Sequence, residues 1–325
     1  MDKIGKRKAV LMSVSALLIV ALFYAIFSSD LILPAYFSNQ AVNTRVKTMD
    51  TYVKSFERYA QESLEIATYS ALNSLYVNAS RNGRFYASFE EFNRSFSNCL
   101  SCARQSCSIP SSAACTQMNG TDMQSLLSNV SSIAIAHLNI NTSFQILSVE
   151  ITQQYPFDVE VSMDIRYVVT DISSASSSWN ITKKITKTVP ISGLQDPLAG
   201  ISTSGAYQKK VYKPGICEYS QSCWNISTVT QFYYSQAFRY DPNGTSFLSR
   251  YYNSSAGSQC CGLESLMNIS YASGNSSYAD YKYYSGAYGC SQYTIYRYDA
   301  IAPGFKLDEV SAIKYNIAGQ GSVVC

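Results

Sequence analysis

The chain begins with a strongly apolar segment. Residues 9–27 read AVLMSVSALLIVALFYAIF, which is 19 residues without a charge, close to the roughly 20 that a helix needs to cross a bilayer core. Four basic side chains precede this segment, and the first charge after it is Asp30. The pattern predicts a transmembrane helix over 9–27, a cytoplasmic tail over 1–8 and an extracellular remainder. A cleaved or processed signal and a buried soluble helix are the alternatives.

A second long helical pattern follows. Apolar or small residues recur there at alternating spacings of four and three residues: Val42, Val46, Met49, Val53, Phe56, Ala60, Ser63 and Ala67. This spacing is the stripe of a heptad repeat, and it predicts a stem helix over residues 35–80. Because few stripe positions are large, we expect the stem to pack against the protein's own globular domain. Self-association of the stem between copies is the alternative.

Beyond the stem, the pattern changes from helical to alternating. Amphipathic helices are predicted over 85–98 and 121–137, the second with Thr121 as its N-cap. Period-two alternation then predicts three strands. The strands cover residues 144–152, 157–165 and 179–191. An antiparallel meander with one buried face would cover the helices, which predicts an α+β domain over 81–200 that includes the first cysteine cluster.

Residues 201–325 differ in composition. Seventeen of the 27 Tyr lie between 201 and 300, mixed with Ser, Asn and Gly. The doublets are Tyr233–Tyr234, Tyr251–Tyr252 and Tyr283–Tyr284. In a strand, a doublet places one ring on each face, so we interpret this region as a disulfide-braced, β-rich C-terminal domain. Ordinary sheet packing is the favoured role of the rings, and an adaptable binding surface is the alternative.

The formal net charge of +3 is confined to the N-terminus. The first eight residues hold four basic side chains against the single acid Asp2, and the rest of the chain is neutral. Nucleic-acid binding requires a basic patch on a folded domain, so no nucleic-acid partner is expected. Charged residues make up only 14% of the chain, whereas Ser and Thr number 68. The polar surface is therefore built mainly from hydroxyls and amides.

N-glycosylation sequons are unusually frequent. Eleven of the 18 Asn begin the pattern Asn-x-Ser/Thr, where the chain's Ser and Thr content predicts about four by chance. They are Asn78, Asn93, Asn119, Asn129, Asn141, Asn180, Asn225, Asn243, Asn253, Asn268 and Asn275. The excess predicts a glycosylated, outward-facing protein; accidental sequons in an Asn- and Ser-rich chain are the alternative.

The ten cysteines fall into two even groups. The first is Cys99, Cys102, Cys107 and Cys115, and the second is Cys217, Cys223, Cys260, Cys261, Cys290 and Cys325. Even counts in an outward-facing segment predict two disulfides and then three, with open connectivity. A four-thiolate zinc site in the first group is the alternative. We expect the adjacent Cys260 and Cys261 to pair with two different partners.

Sequence motifs for catalysis are missing. His137 is the only histidine and ends a predicted helix, where we expect a capping or core role. The sequence contains no P-loop, GxGxxG, GxSxG or HExxH pattern. It therefore predicts neither an enzyme nor a bound cofactor.

The order of features resembles a group of uncharacterised archaeal membrane-anchored surface proteins with a pilin-like N-terminal helix. The resemblance rests on the basic tail, the membrane helix and the stem, then on four later segments. These are WNITKKITKTVPISGLQDPL at 179–198, SFLSRYYN at 246–253, CCGLESLMN at 260–268 and YADYKYYS at 278–285. It implies an anchored, secreted domain and no biochemical activity.

The leading prediction is a single-pass cell-membrane glycoprotein whose residues 28–325 are extracellular and serve a structural, adhesive or recognition role. Its expected partners are the membrane and a surface protein or carbohydrate. A pilin-like filament subunit, polymerising through residues 9–67, is one alternative, and an ectoenzyme or sensor domain is another.

Overall fold

The computed structural model describes residues 3–102, 115, 117–118, 120–172, 178–217, 221–254 and 256–325, with side chains from Val42 onward apart from Gln221. The first half has three helices, α1 (Lys3–Asn82), α2 (Phe89–Ser101) and α3 (Met123–Leu138), and three strands, β1 (Ile140–Tyr155), β2 (Asp158–Asp171) and β3 (Ser178–Pro190). The fold is α+β. Among the residues whose side chains the structure describes, no helix combines the length and apolarity needed to cross a membrane. The predicted span 9–27 lies outside the described side chains.

The stripe of α1 packs on the protein's own sheet. Val42 and Val46 are 52% and 39% exposed, whereas the stripe is buried from Met49 to Ala67. The ring of Phe56 lies 5.2 Å from that of Tyr167 on β2, centroid to centroid. Helix and sheet thus bury one another's apolar faces.

The three strands form an antiparallel meander in the order β1-β2-β3, as the alternation predicts. Every second residue of β2 is buried: Val159, Val161, Met163, Ile165, Tyr167 and Val169. Met163 pairs with Val149 on one side and with Ile185 on the other. The N-cap of α3 is Asp122, one residue after the predicted Thr121, because its carboxylate accepts from the Ser125 N–H at 2.9 Å.

The C-terminal region is mixed rather than β-rich, which corrects the sequence prediction. Its helices are α4 (Pro197–Ser202), α5 (Ile226–Ser235), α6 (Asp280–Ser285) and α7 (Glu309–Lys314). Its strands are β4 (Arg239–Ser246), β5 (Gly262–Glu264), β6 (Ile295–Arg297), β7 (Lys306–Asp308) and β8 (Ser322–Val323). Three of these strands have three residues and one has two, so most of the region consists of short helices, turns and loops.

The described residues form two clusters of buried hydrophobic side chains, and each cluster contains residues from both sides of position 200. Phe238, Phe247 and Tyr251 belong to the first core together with α1 and the meander. Ala199 belongs to the second core, which is built around Trp224 and other C-terminal residues. The C-terminal region is therefore packed directly onto the helix–sheet unit.

Candidate functional site

Two of the three tyrosine doublets lie on helices, which corrects their expected placement on strands. Tyr233 and Tyr234 are on α5, and Tyr283 and Tyr284 are on α6. In the first of these doublets one ring is buried and the other exposed, since Tyr233 is 4% exposed and Tyr234 is 66% exposed. Neighbouring positions on a helix point about 100° apart, so a doublet at the edge of the core has one ring inside and one outside.

Two tyrosines of these doublets, Tyr233 and Tyr283, contact one loop, residues 268–275. We call Tyr234, Tyr271 and Tyr283 the tyrosine surface. The Tyr233 hydroxyl accepts from the Ile269 N–H at 3.3 Å, which places α5 against the loop. The Tyr283 hydroxyl accepts from the Ser273 N–H at 3.0 Å, which places α6 against it. Tyr271 is 45% exposed.

Buried rings support the tyrosine surface from below. Tyr271 stacks on the buried Tyr207, with centroids 4.6 Å apart. Burial raises the pKa of the Tyr207 hydroxyl, and this hydroxyl donates to the Gln236 side chain. Tyr234 packs edge-on against Tyr233, which in turn contacts Phe305 at 5.2 Å. Exposed aromatic faces on a rigid base can stack against a sugar ring or an apolar protein patch, and their hydroxyls can form hydrogen bonds.

The predicted sequons are mostly accessible. Seven asparagines are exposed: Asn129, Asn141, Asn180, Asn225, Asn243, Asn253 and Asn275. Asn78, Asn93 and Asn268 are half-buried, and Asn119 lies outside the described residues. Asn268 and Asn275 bound the loop of the tyrosine surface.

The cysteines pair within each predicted group. Cys99 is joined to Cys115, Cys217 to Cys223, Cys260 to Cys261, and Cys290 to Cys325. Cys102 is also disulfide-bonded, and Cys107 lies outside the described residues. Cys260 and Cys261 pair with one another, which corrects the expectation of two different partners. Because the Cys99 and Cys115 sulfurs are bonded to each other, the alternative of a four-thiolate zinc site does not fit.

Three clusters of buried charge lie in the C-terminal region. In the first, Arg250 contacts Asp196 at 3.1 Å and Asp280 at 2.7 Å, with all three side chains almost fully buried. In the second, Lys282 lies 2.9 Å from Asp308. The third contains Lys314, Asp241 and Glu264. Buried charges need partners, and these clusters supply them.

The remaining candidates are modest. His137 is exposed in the last turn of α3 rather than in a core, where a cation is favoured by the helix dipole. Within the described part of the chain, no three His, Cys, Asp or Glu side chains are grouped as metal ligands. A groove of about 450 Å³ beside α1 is lined by Thr44, Lys47, Thr48, Thr51, Tyr52, Ser55 and Leu138.

No family model matches the chain, and comparisons with curated proteins and with solved structures give no significant match.

Sequence reasoning identified the tyrosines, cysteines and sequons individually. It missed the loop at 268–275 that brings α5 and α6 together, because that contact joins segments distant in sequence. The clusters of buried charge were also missed. The signal for them in the sequence is that the acidic residues Asp241, Glu264 and Asp280 lie in aromatic segments that otherwise carry few charges.

Proposed function

We propose that this protein is a membrane-anchored extracellular glycoprotein that recognises a surface protein or carbohydrate through its tyrosine surface. Residues 9–27 would hold it in the membrane, and the stem would carry the folded domain outside. The observation that carries the proposal is the joint placement of exposed tyrosines and accessible sequons on a domain with paired cysteines.

Disulfides and N-glycans both belong to oxidising, extracytoplasmic compartments. The accessible asparagines are spread over several elements, with Asn129 on α3, Asn180 on β3 and Asn225 at the start of α5. Attached glycans would solubilise a surface that carries few charges. Tyr234 and Tyr271 would remain available as contact residues, because neither is itself a glycan acceptor.

The location is tested by glycopeptide and disulfide mapping on intact cells. We expect glycans on exposed asparagines such as Asn129 and Asn180, and oxidised Cys290 and Cys325. Unmodified asparagines together with reduced cysteines in protein taken from cells would contradict the proposal.

Recognition is tested with full-length protein in detergent on an array of surface glycans and on cells that lack the protein. Tyr234→Ala combined with Tyr271→Ala should reduce binding at least tenfold, since aromatic anchors often contribute more than about 1.4 kcal/mol each. Tyr155→Ala is the matched control, because Tyr155 is 64% exposed at the far end of β1. Equal loss in both variants, or in neither, would argue against the tyrosine surface.

A pilin-like filament subunit is the second candidate. It is favoured by Val42 and Val46, the exposed start of the stripe. Another copy's helix could cover these positions. Electron microscopy of expressing cells would show filaments, and Val46→Asp should abolish them; their absence from wild-type cells would reject this candidate.

A further inference from the structure

Lys314 lies between two buried carboxyl groups. Its Nζ is 2.6 Å from Asp241 Oδ2 on β4 and also contacts Glu264 Oε2 at the end of β5. The Lys314 side chain is 17% exposed, and the two carboxyl side chains are 2% and 0% exposed. The three side chains come from three elements, and Asp241 and Lys314 are 73 positions apart in the sequence.

The two carboxyls differ in their bonding. Burial raises the pKa of Glu264 against the lowering effect of the Lys314 charge, and a hydrogen bond to Asp241 raises it further. Burial would also raise the pKa of Asp241, but the charge of Lys314 and hydrogen bonds hold it below its usual range. The pKa of Glu264 is therefore shifted upward and that of Asp241 downward, which makes Glu264 the better proton acceptor of the two.

Asp241 has a further contact suited to reaction at its carbonyl carbon. Its Oδ1 accepts from the Asn243 backbone N–H at 3.0 Å. A fixed N–H donor aimed at a carboxyl oxygen stabilises the negative charge that develops there when a nucleophile adds to the carbon. The Tyr315 hydroxyl donates to Glu264 Oε1 and so fixes the orientation of the acid.

The other two buried lysines of the described chain do not have this set of groups. Lys282 contacts Asp308 and the Ser311 hydroxyl, with no second carboxyl in contact. Lys209 donates to the Ser265 hydroxyl and to the Leu266 carbonyl. Lys187 contacts two carboxylates, but those of Glu62 and Glu65 are 59% and 42% exposed. Among the described lysines, Lys314 alone contacts two buried carboxyl groups.

We propose that Lys314 and Asp241 condense into an intramolecular amide bond, with Glu264 as the proton carrier. The Glu264 carboxylate first takes a proton from the Lys314 ammonium and passes it to the Asp241 carboxylate. The neutral Nζ then adds to Asp241 Cγ, and the Asn243 N–H holds the resulting oxyanion. Glu264 takes a proton from the nitrogen and delivers one to the departing hydroxyl, which leaves as water. The overall step converts an ammonium and a carboxylate into an amide and one water, with no oxidant or cofactor.

Preorganisation favours this condensation. Intramolecular partners held in reacting geometry reach effective molarities of about 10⁵–10⁸ M, and burial limits the water that would reverse the reaction. The bond would tie α7 to β4 independently of the Cys290–Cys325 disulfide. This inference does not depend on the proposed function, because it concerns only the folded C-terminal region.

The test is peptide mapping of the full-length protein, made in a host that does not N-glycosylate, then reduced, alkylated and digested with trypsin after folding. We expect one branched peptide in which residues 240–250 are joined to residues 307–325. Its mass should be one water below the sum of the two segments, because trypsin does not cleave after an amidated lysine. Linear peptides 240–250 and 307–314 as the main products from folded wild-type protein would overturn the proposal.

Two variants test the roles of Lys314 and Glu264, and a third variant serves as a matched control. Lys314→Arg keeps the charge without a nucleophilic amine, and Glu264→Gln keeps both reactants while removing the proton carrier; each should yield only linear peptides. Lys282→Arg alters the neighbouring buried pair and should retain the branched peptide. A branched peptide that persists in Glu264→Gln would overturn the role of Glu264, and circular dichroism would establish that each variant is folded.

Discussion

The helix–sheet unit and the C-terminal region are stabilised in different ways. In the first, α1 and the meander bury apolar side chains such as Phe56 and Met163, while ion pairs such as Lys187–Glu62 lie at its partly exposed edge. In the second, Arg250 and Asp280 are fully buried inside the protein. The two halves of one chain therefore satisfy their backbone hydrogen bonds in different ways.

Long elements satisfy their own backbone groups, whereas short ones leave many unpaired. The C-terminal helices have six or ten residues and the strands mostly two or three. In the C-terminal region, charged side chains form hydrogen bonds with some of these unpaired backbone groups. Arg250 donates to the Leu263 carbonyl at 2.6 Å, and Lys209 donates to the Leu266 carbonyl at 3.1 Å. The buried charges thus donate hydrogen bonds to backbone carbonyls that the short elements leave unpaired.

Replacing Arg250 should have the largest effect. Arg250→Met would leave Asp196 and Asp280 buried without their countercharge, and the Leu263 carbonyl without its donor. We expect a loss of about 3–5 kcal/mol in the free energy of unfolding, measured by urea denaturation. Arg297→Met, at the exposed pair with Asp299, is the matched control and should cost less than about 1 kcal/mol. Equal losses would mean that burial of the charge is irrelevant.

The helix–sheet unit should instead be sensitive to cavities. Leu64 on α1 is fully buried, whereas Ile66 on the same helix is 53% exposed. Leu64→Ala should lower the free energy of unfolding by about 2–5 kcal/mol, because it removes packed methyl groups and leaves a void. Ile66→Ala should change it by no more than about 0.5 kcal/mol. A small effect at Leu64 would imply that α1 is only loosely attached to the sheet.

The same contrast explains what could be predicted from the sequence. The meander was predictable because apolar residues at alternate positions, Val159, Val161 and Met163, indicate which face of β2 is buried. The burial of α1 from Met49 onward followed from its heptad stripe for the same reason. In a regular helix or strand, buried positions recur at a fixed spacing. The hydrophobic pattern of a short segment therefore indicates which face of the element is buried.

The C-terminal region offered no such repeat. Tyr233 and Tyr234 suggested a strand, but they lie on a short helix whose place is set by the loop at Ile269. Arg250 gave no local sign of burial, because its partners Asp196 and Asp280 are distant in sequence. Most of the tyrosine surface is likewise assembled by long-range contacts, so its residues were predictable and its arrangement was not.

Two N-cap aspartates allow a direct comparison of the two regions. Asp122 caps α3 and binds Ser125, whereas Asp308 caps α7 and also holds Lys282 at 2.9 Å. Asparagine is a comparable N-cap, so Asp122→Asn should cost less than about 0.5 kcal/mol. Asp308→Asn should cost about 2–4 kcal/mol, since Lys282 would remain buried without a countercharge. Thermal or urea unfolding of both variants measures the difference; similar costs would show that Asp308 acts only as a cap.

The smallest expected effect is a gain in stability. Burial lowers the pKa of Lys209 to about 8, from about 10.4 in an unfolded chain. Between these values the unfolded state binds more protons, so the stability of the wild-type protein rises with pH through that window. Lys209→Met removes this penalty, which is about 3 kcal/mol for a shift of that size, and loses the hydrogen bond to the Leu266 carbonyl, which is worth about 1.5 kcal/mol or more. It should therefore be more stable by about 1–2 kcal/mol at pH 7, with the advantage shrinking towards pH 10. Lys210→Met, at the exposed neighbouring residue, should show no such dependence in parallel urea titrations. If the stability of Lys209→Met relative to the wild-type protein stayed constant or grew with pH, Lys209 would already be neutral at pH 7, or its charge would be well compensated by neighbouring groups.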